Sequence, residues 1–600
     1  MKRSELRDAM EELGIDKENF RVLILLPLVL VAWADGHISL NERTYIQRLA
    51  KQKGWLTPSG KVLLAHWLSQ PISPDMSALG LDVLKTLAAQ KKGLGSSIPE
   101  NMLEALLVYS KEVARASGGM FGLTDPISPE ESAVMNTLVE EFGFDEIGGE
   151  VPHQRAPMAG EKRLLGVLPA LQKNPIQALT RIHRKHGSLV RLNVPGKHVY
   201  LVTHPDHVKR VLVDNMRNYQ RGKNYRGIGG LAGASLLTAD GDEWRALRRM
   251  SQPAFHRSMM DQFLSSIVKT TQATLDRWET HVESGEPLDI QQEMLLLTLK
   301  IIGEMLFSEN LAEEGKTLGE AALVLMDAIT DLLMNPLQLP STIPTQKNLR
   351  IQAALREFDR IIYAKIQERR SRESTNKDLL GILLEAKDPE TGKQISDQQL
   401  RNELLTFLVA GHDTSASALT WLFYLSSRHP AETRRLHREV NDCLGTGQPT
   451  TESLRACTFV NAFIDESIRL YPSIPMFGRQ AVAEDVVGHF TIERDAFVIL
   501  APWLSHRLPQ FWRNPEGFDP ERFITTPKSG RHPYAYYPFA AGPHKCIGMG
   551  FALMEMRTIV QMAFRRFRFE LPPGFRPIVA YNFTIAPKEA LSMTVHEASS

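Results

Sequence analysis

The amino-acid sequence predicts a mainly α-helical protein with small β-sheets, in which an all-helical domain precedes a larger mixed one. Residues 1–144 read as nearly all helix. The next stretch, DEIGGEVPHQRAPMAGEK (145–162), holds two prolines, three glycines and little periodicity, the pattern of a linker. From 163 to 600 no comparable break occurs, and strand-like runs such as SLVRLNV and HVYLVT mix with long helical patterns. A chain of 600 residues also exceeds what one compact domain usually holds.

Composition sets limits on function. The apolar fraction of 43% and charged fraction of 23% are ordinary for a globular protein. A formal net charge of +1 demands no broad positive face, so nucleic acid is not expected as a partner. The most apolar run, VLILLPLVLVAWA (22–34), contains Pro27 and is shorter than the about 20 residues that span a bilayer. It reads as a buried helix, with no transmembrane anchor. Cys443, Cys457 and Cys546 are an odd set without paired spacing, which argues against a disulfide framework and fits a reducing cytoplasm.

In the first domain ADGHISLNERTYIQRLA (34–50) resembles LTDPISPEESAVMNTLV (123–139). Ser39 with Glu42, and Ser128 with Glu131, have capping-box spacing, and Pro129 falls at a first helical position. Two helix starts of similar construction explain this; a cation site of Asp35, Glu42, Asp125 and Glu131 is the sharper alternative. The arrangement resembles the TerB-like helical domain of tellurite-resistance proteins, with Asp-Pro for Asp-Gly in the second copy.

In the second domain GDEWRALRRM places Trp244 and Arg248 on one helix face. Residues 396–430 form an unusually long helical pattern, with Ser396 and Gln399 as a capping box and Pro430 as the stop. At 1.5 Å per residue it is roughly 50 Å long. Its middle, AGHDTS, places Gly411 where helix stability alone disfavours it, and the Thr414 hydroxyl can take the Ala410 carbonyl. FIDESIRLYP sets Glu466 and Arg469 three apart on a helix with much apolar surface, where a buried pair wants a third partner; Arg522 of FDPERF can supply it. Arg479 follows in PMFGRQA.

YPFAAGPHKCIGMG (537–550) is the most informative stretch. Cys546 opens a helical pattern, where unpaired N–H groups and the dipole favour a thiolate. Gly548 and Gly550 leave room for close approach of backbone to a flat ligand. A lone thiolate does not suit zinc or an iron–sulfur cluster, which need several ligands, but suits an axial ligand of haem.

Phe539-x-x-Gly542-x-His544-x-Cys546-x-Gly548 resembles the haem-binding signature of the cytochrome P450 family, which usually has Arg where this chain has His544. The resemblance extends over roughly 165–595 and implies the cytochrome P450 fold with haem b (iron protoporphyrin IX) as cofactor and Cys546 as the iron ligand. It implies cofactor-binding roles for Trp244, Arg248, Arg479 and His544, and for Phe539, Gly542 and Gly548 beside Cys546. Gly411 is expected to leave room above the cofactor, and Asp413 and Thr414 to order water and pass protons for oxygen activation. Glu466, Arg469 and Arg522 are implied as a structural network.

The implied activity is a haem-thiolate monooxygenase that inserts one oxygen atom into an apolar, possibly fatty-acid-like, small molecule. No Gly-rich dinucleotide fingerprint is present, so a separate ferredoxin- or flavodoxin-type donor or a reductase is expected. Arg434, Arg435 and Arg438 with Lys545 offer it a basic face. The alternatives are a peroxide-driven peroxygenase on the same haem and a haem-based sensor read through the helical domain.

Overall fold

The structure, a computed structural model, describes residues 9–89 except 12, 17, 35 and 37, isolated positions between 106 and 138, and residues 156–598 except 161–164, 309–314, 335–342, 372–377, 446, 489 and 526–530. It divides into two compact units, Met1–Gln154 with Ser529–Arg531, and Arg155–Lys528 with His532–Ser600.

The smaller unit is helical throughout its described part. A 3-10 helix, Phe20–Leu25, leads into α1 (Leu26–Ala32), and nearly all of both is buried. Pro27 falls in the first turn of α1, where its missing N–H costs nothing. α2 (Leu40–Gln52) starts at a complete capping box: the Glu42 N–H donates to Ser39 Oγ at 3.2 Å, and the Ser39 N–H to Glu42 Oε2 at 2.7 Å. The carboxylate of Glu42 is therefore engaged in a cap. α3 (Pro58–Trp67) and α4 (Pro74–Ala89) complete the described part. Asp35, Asp125, Ser128, Pro129 and Glu131 lie outside the described residues. Among the described residues, no group of three His, Cys, Asp or Glu side chains is placed to hold a metal ion.

The larger unit joins a helical body to four small sheets. One sheet has six strands: β1 (Met158–Ala159), β2 (Leu189–Val194), β3 (Lys197–Val202), β4 (Tyr219–Gln220), β5 (Phe477–Ala481) and β6 (Phe497–Leu500), in the spatial order β1-β2-β3-β6-β5-β4. β1 runs parallel to β2 and β3 to β6, while the other neighbours are antiparallel. A separate hairpin, β7 (Val579–Asn582) and β8 (Thr584–Pro587), comes near the C-terminus.

The helices that matter for the site are α5 (Gly222–Ala232), α6 (Gly241–Ser251), α7 (Ile290–Phe307), α8 (Gly315–Met334), α9 (Asp397–Arg428), α10 (Pro430–Leu444), α11 (Thr458–Leu470) and α12 (Met549–Arg566). α9 is 32 residues long and packs against α7. Ser396 caps it, accepting the Gln399 N–H at 3.2 Å, and Pro430 stops it by opening α10. No helix among the described residues is long and apolar enough to cross a membrane.

The cysteines correct one expectation. Cys443 in α10 and Cys457, which caps α11, form a disulfide with Cα atoms 6.2 Å apart, within the usual range. The reversal of the chain between α10 and α11 makes the pair, and linear spacing does not show it. The sequence argument for a reducing compartment loses its footing with it.

α11 carries a buried ionic network. Glu466 takes Arg469 Nε at 2.7 Å, Arg469 Nη2 at 2.8 Å, Arg522 Nε at 3.1 Å and the Asp519 N–H at 2.9 Å. Arg469 also donates to the carbonyls of His506, Pro515 and Gly517. One carboxylate thus fixes two guanidinium groups, and these fix the irregular segment 506–522. Breaking a buried pair leaves an uncompensated charge and costs about 3–5 kcal/mol. Glu466→Gln is expected to lose that much stability in denaturant unfolding; a loss below about 1 kcal/mol would contradict the network's role.

Candidate active site

One cavity of about 340 Å³ in the larger unit gathers most of the residues singled out in the sequence. Trp244, Arg248, Gly411, Thr414, Arg479, Phe539, His544, Cys546 and Gly548 all line it. Glu466, Arg469 and Arg522 do not, in keeping with a structural role. Neither Gly542 nor Asp413 is among the lining residues.

The cysteine loop is shaped before its helix begins. The Cys546 N–H donates to the Phe539 carbonyl at 2.9 Å, closing the loop, and Ala540 is held at φ 56°. Gly542, expected beside the cofactor, has a different job. Its φ is 67°, and a Cβ there would stand 2.1 Å from the Leu212 carbonyl oxygen. It is glycine because the loop presses against the backbone of 210–214. Cys546 is exposed to the cavity. Burial pushes its thiol upward, while the N–H groups of Gly548 and Met549 and the charges of Arg248 and Lys545 pull it back.

Positive charge concentrates at one side. Arg248 of α6, Arg479 of β5 and Arg221, just before α5, all line the cavity. Each donates to a backbone carbonyl: Arg221 to Ala239 at 2.5 Å, Arg248 to Lys545 at 3.1 Å, Arg479 to Gly478 at 2.8 Å. Among the described residues none of the three forms an ion pair. Burial, and then Arg479, lower the Arg221 pKa to about 10. His544 lies over Trp244 with ring centroids 3.9 Å apart. Burial first, then the three arginines, lower its pKa to about 3, so the ring is neutral, and its buried Nδ1 has no hydrogen bond. Half-buried and buried guanidinium groups without anions are costly. The donor set calls for an anionic ligand with more than one carboxylate, and haem, with two propionates and an iron for Cys546, fits it.

Sequence reasoning missed Arg221. Its signal, an arginine before Gly222 at φ 76°, does not differ locally from that of exposed arginines nearby.

On the opposite wall, the Thr414 hydroxyl donates to the Ala410 carbonyl at 2.7 Å. Gly411 lines the cavity, but a Cβ there would meet Ile302 Cδ1 at 2.7 Å. The glycine lets α7 pack closely on α9 without displacing the end of the Ile302 side chain, in addition to any room it leaves for a ligand. Asp413 is turned to the C-terminal hairpin, where Thr584 Oγ1 donates to Oδ2 at 2.5 Å. Burial pushes its carboxyl up and the Thr584 bond pulls it back. Of the basic residues expected to meet a redox partner, Arg435 pairs with Glu521 and lies over the Phe459 ring, whereas Arg434 and Arg438 are exposed without that commitment.

Comparison with known proteins agrees with this geometry. The family profile for cytochrome P450 matches residues 156–592. Cyclooctat-9-en-7-ol 5-monooxygenase of Streptomyces melanosporofaciens is 34% identical over 428 residues, covering 71% of this chain and 92% of the relative. Protein LUTEIN DEFICIENT 5, chloroplastic, of Arabidopsis thaliana is 28% identical over 513 residues, covering 80% and 84%. Among solved structures, the crystal structure of the cytochrome P450DA heme domain superposes with a TM-score of 0.68 at 27% identity, covering 74% of this chain and 98% of that one.

Behind the cavity wall lies an acid that neither the sequence motifs nor the comparisons single out. Glu555 of α12 is buried, and its oxygens make no hydrogen bond of good geometry. Burial pushes its pKa from 4.5 to about 8, and the Ser415 hydroxyl pulls it back. The folded protein thus keeps a proton that the unfolded chain gives up, and stability falls as pH rises from about 4.5 toward 8. Glu555→Gln is expected to flatten that decline in thermal unfolding; an unchanged pH profile would contradict the burial argument.

Proposed function

Because the chain belongs to the cytochrome P450 family, a family of haem-b monooxygenases, we propose that it inserts one oxygen atom from O2 into a neutral, hydrocarbon-rich small molecule, with electrons from a separate donor. The observation that supports this most is the meeting in one cavity of a cysteine sulfur, three arginines without anions and a helix wall bearing Thr414.

Bound haem supplies oxygen activation. In this reading the protein's residues do the rest. Cys546 is the proximal ligand. Arg221, Arg248 and Arg479 neutralise the propionates, and the neutral His544 ring, seated on Trp244, adds a hydrogen bond. Thr414 and Asp413 hold and move protons. The helical domain of 1–144 is followed by a linker that ends before Met158–Ala159, which already pair with β2 in the larger, catalytic unit. Arg434 and Arg438 are the exposed cations on α10 available to an acidic donor.

The substrate reading rests on charge. Every arginine among the described cavity-lining residues is needed at the propionate side. The rest of the wall is dominated by side chains such as Ile228, Leu236, Ile302, Leu325, Ile329 and Val409. A fatty acid would bring a third carboxylate with no arginine left for it, at a cost of several kcal/mol if buried. A neutral alcohol, such as the cyclooctat-9-en-7-ol in the name of the Streptomyces relative, suits the wall better.

The reduced holoprotein with carbon monoxide is expected to show the red-shifted Soret band of thiolate ligation, and Cys546→Ser to abolish it; retention of that band in the variant would refute the assignment. Arg221→Ala is expected to raise the haem dissociation rate roughly tenfold, from the loss of one charge-assisted contact. Neutral terpene alcohols are expected to displace the iron-bound water at concentrations at least tenfold below fatty acids of equal carbon number, the cost of about 1.4 kcal/mol for an unpaired carboxylate being a lower bound. Equal or tighter binding of the acids restores the fatty-acid reading.

A further inference from the structure

The hairpin β7–β8 turns on a single residue. Asn582 pairs directly with Thr584, which leaves Phe583 alone at the tip with φ 61°. A bulky L-residue rarely adopts that conformation, and glycine would take it without strain. Neighbouring side chains hold it in place. On one flank, Thr330 Oγ1 donates to Asn582 Oδ1 at 2.7 Å and Asn582 Nδ2 donates to Asp327 Oδ1 at 2.5 Å, both partners lying on α8. On the other flank, Thr584 Oγ1 donates to Asp413 of α9. The following residue is anchored as well: the Ile585 carbonyl accepts from Ser417 Oγ at 2.6 Å and Trp421 Nε1 at 3.2 Å, and its N–H donates to the Ser473 carbonyl. Between the two clamps the Phe583 ring lines the cavity and packs against the cluster of Tyr225, Ile228, Met326 and Ile329.

We propose that Asn582, Phe583 and Thr584 act as one rigid unit that ties substrate fit to the position of the Asp413 carboxyl. Phe583 is the surface a substrate presses on, a specificity-determining residue. Thr584 is a positioning residue: it donates a hydrogen bond to Asp413 and transfers nothing itself. With one residue in the turn there is no slack between the two. A molecule that forces Phe583 outward shifts the Thr584 hydroxyl and weakens its bond to Asp413, whereas a molecule that fits leaves the bond intact. The device therefore acts on how much oxygen ends in product, more than on how tightly a molecule binds. The inference rests on the reading of Asp413 as a proton carrier, and the test separates the two.

The test uses the full-length holoprotein with wild type, Thr584→Val, Thr584→Ser, Phe583→Gly and Asp413→Asn. Three quantities are read: substrate affinity from the visible spectral shift, product formed per O2 consumed, and the infrared carboxyl band of Asp413, assigned as the band missing in Asp413→Asn. Thr584→Val is expected to keep affinity within about threefold, lower product per O2 roughly tenfold, the worth of one lost hydrogen bond, and shift the carboxyl band. Thr584→Ser restores both. Phe583→Gly is expected to weaken affinity roughly tenfold through lost apolar contact and to change the products formed. Should Thr584→Val fail to retain haem, Thr584→Ala carries the same readouts. Wild-type coupling with an unshifted band in the Val or Ala variant overturns the inference. If Asp413→Asn uncouples and the Thr584 variants do not, the hairpin inference alone fails; if Asp413→Asn couples normally, the proton-carrier reading fails with it.

Discussion

The architecture of the site depends on one electrostatic constraint: three guanidinium groups face a common cavity, and among the described residues none of them forms an ion pair. In an apolar wall that arrangement is stable only with an anionic occupant. It would orient a flat cofactor that carries carboxylates, with those groups held by the arginines and Cys546 as the residue to hold its metal. Burial first, and then the same charges, keep His544 neutral, and this accommodates the exchange of the family's usual arginine for an imidazole. A fourth cation among Arg221, Arg248 and Arg479 would add repulsion that two propionates do not offset. Histidine in that place keeps a hydrogen-bonding ring and adds no charge.

Those three arginines come from separated parts of the chain, so their convergence needs a stiff frame. Arg479 rides on β5, paired with Val498 of β6 in the middle of the six-stranded sheet. Arg248 rides on α6, whose exit donates through its guanidinium to the cysteine loop at Lys545. The Glu466–Arg469–Arg522 network gathers the carbonyls of the irregular segment between β6 and the cysteine loop. Its role is to turn a stretch with little regular hydrogen bonding into a fixed support. A buried ion pair is seldom a gain over apolar packing, but here the two guanidinium groups also satisfy carbonyls that no apolar side chain could.

How much of this was legible in the sequence follows from the range of each interaction. Cys546, Trp244 with Arg248, and Glu466 with Arg469 are encoded within a few residues, and the spacing alone set them on one face or at one helix start. Thr414 declared its carbonyl bond through the i−4 rule. Arg221 was not legible, because its meaning comes from Arg479, 258 residues away in sequence, and the local pattern is that of a surface arginine. The Cys443–Cys457 pair was hidden for the same reason: it depends on how α10 and α11 pack. Gly411 and Gly542 stand out in the sequence, but their packing partners do not. Sequence shows that a side chain is missing; only the structure shows that Ile302 and the Leu212 carbonyl occupy the space.

The position of Asp413 resolves a conflict built into such a site. A hydrocarbon substrate needs dry, apolar walls, while oxygen chemistry needs a proton source close by. An ionised carboxylate facing the cavity would spoil the first requirement, since stripping its water costs several kcal/mol. The protein instead turns Asp413 out of the cavity, buries it against the hairpin and gives it one donor, Thr584. Burial favours the neutral acid and that donor favours the anion, so the two influences oppose each other on one carboxyl. Burial is the larger of the two, so the carboxyl is held above its usual range. Its neighbour in sequence, Thr414, is the side chain that meets the cavity. The residue on the dry wall and the buried acid are thus one step apart along α9, and the hairpin holds the acid through Thr584.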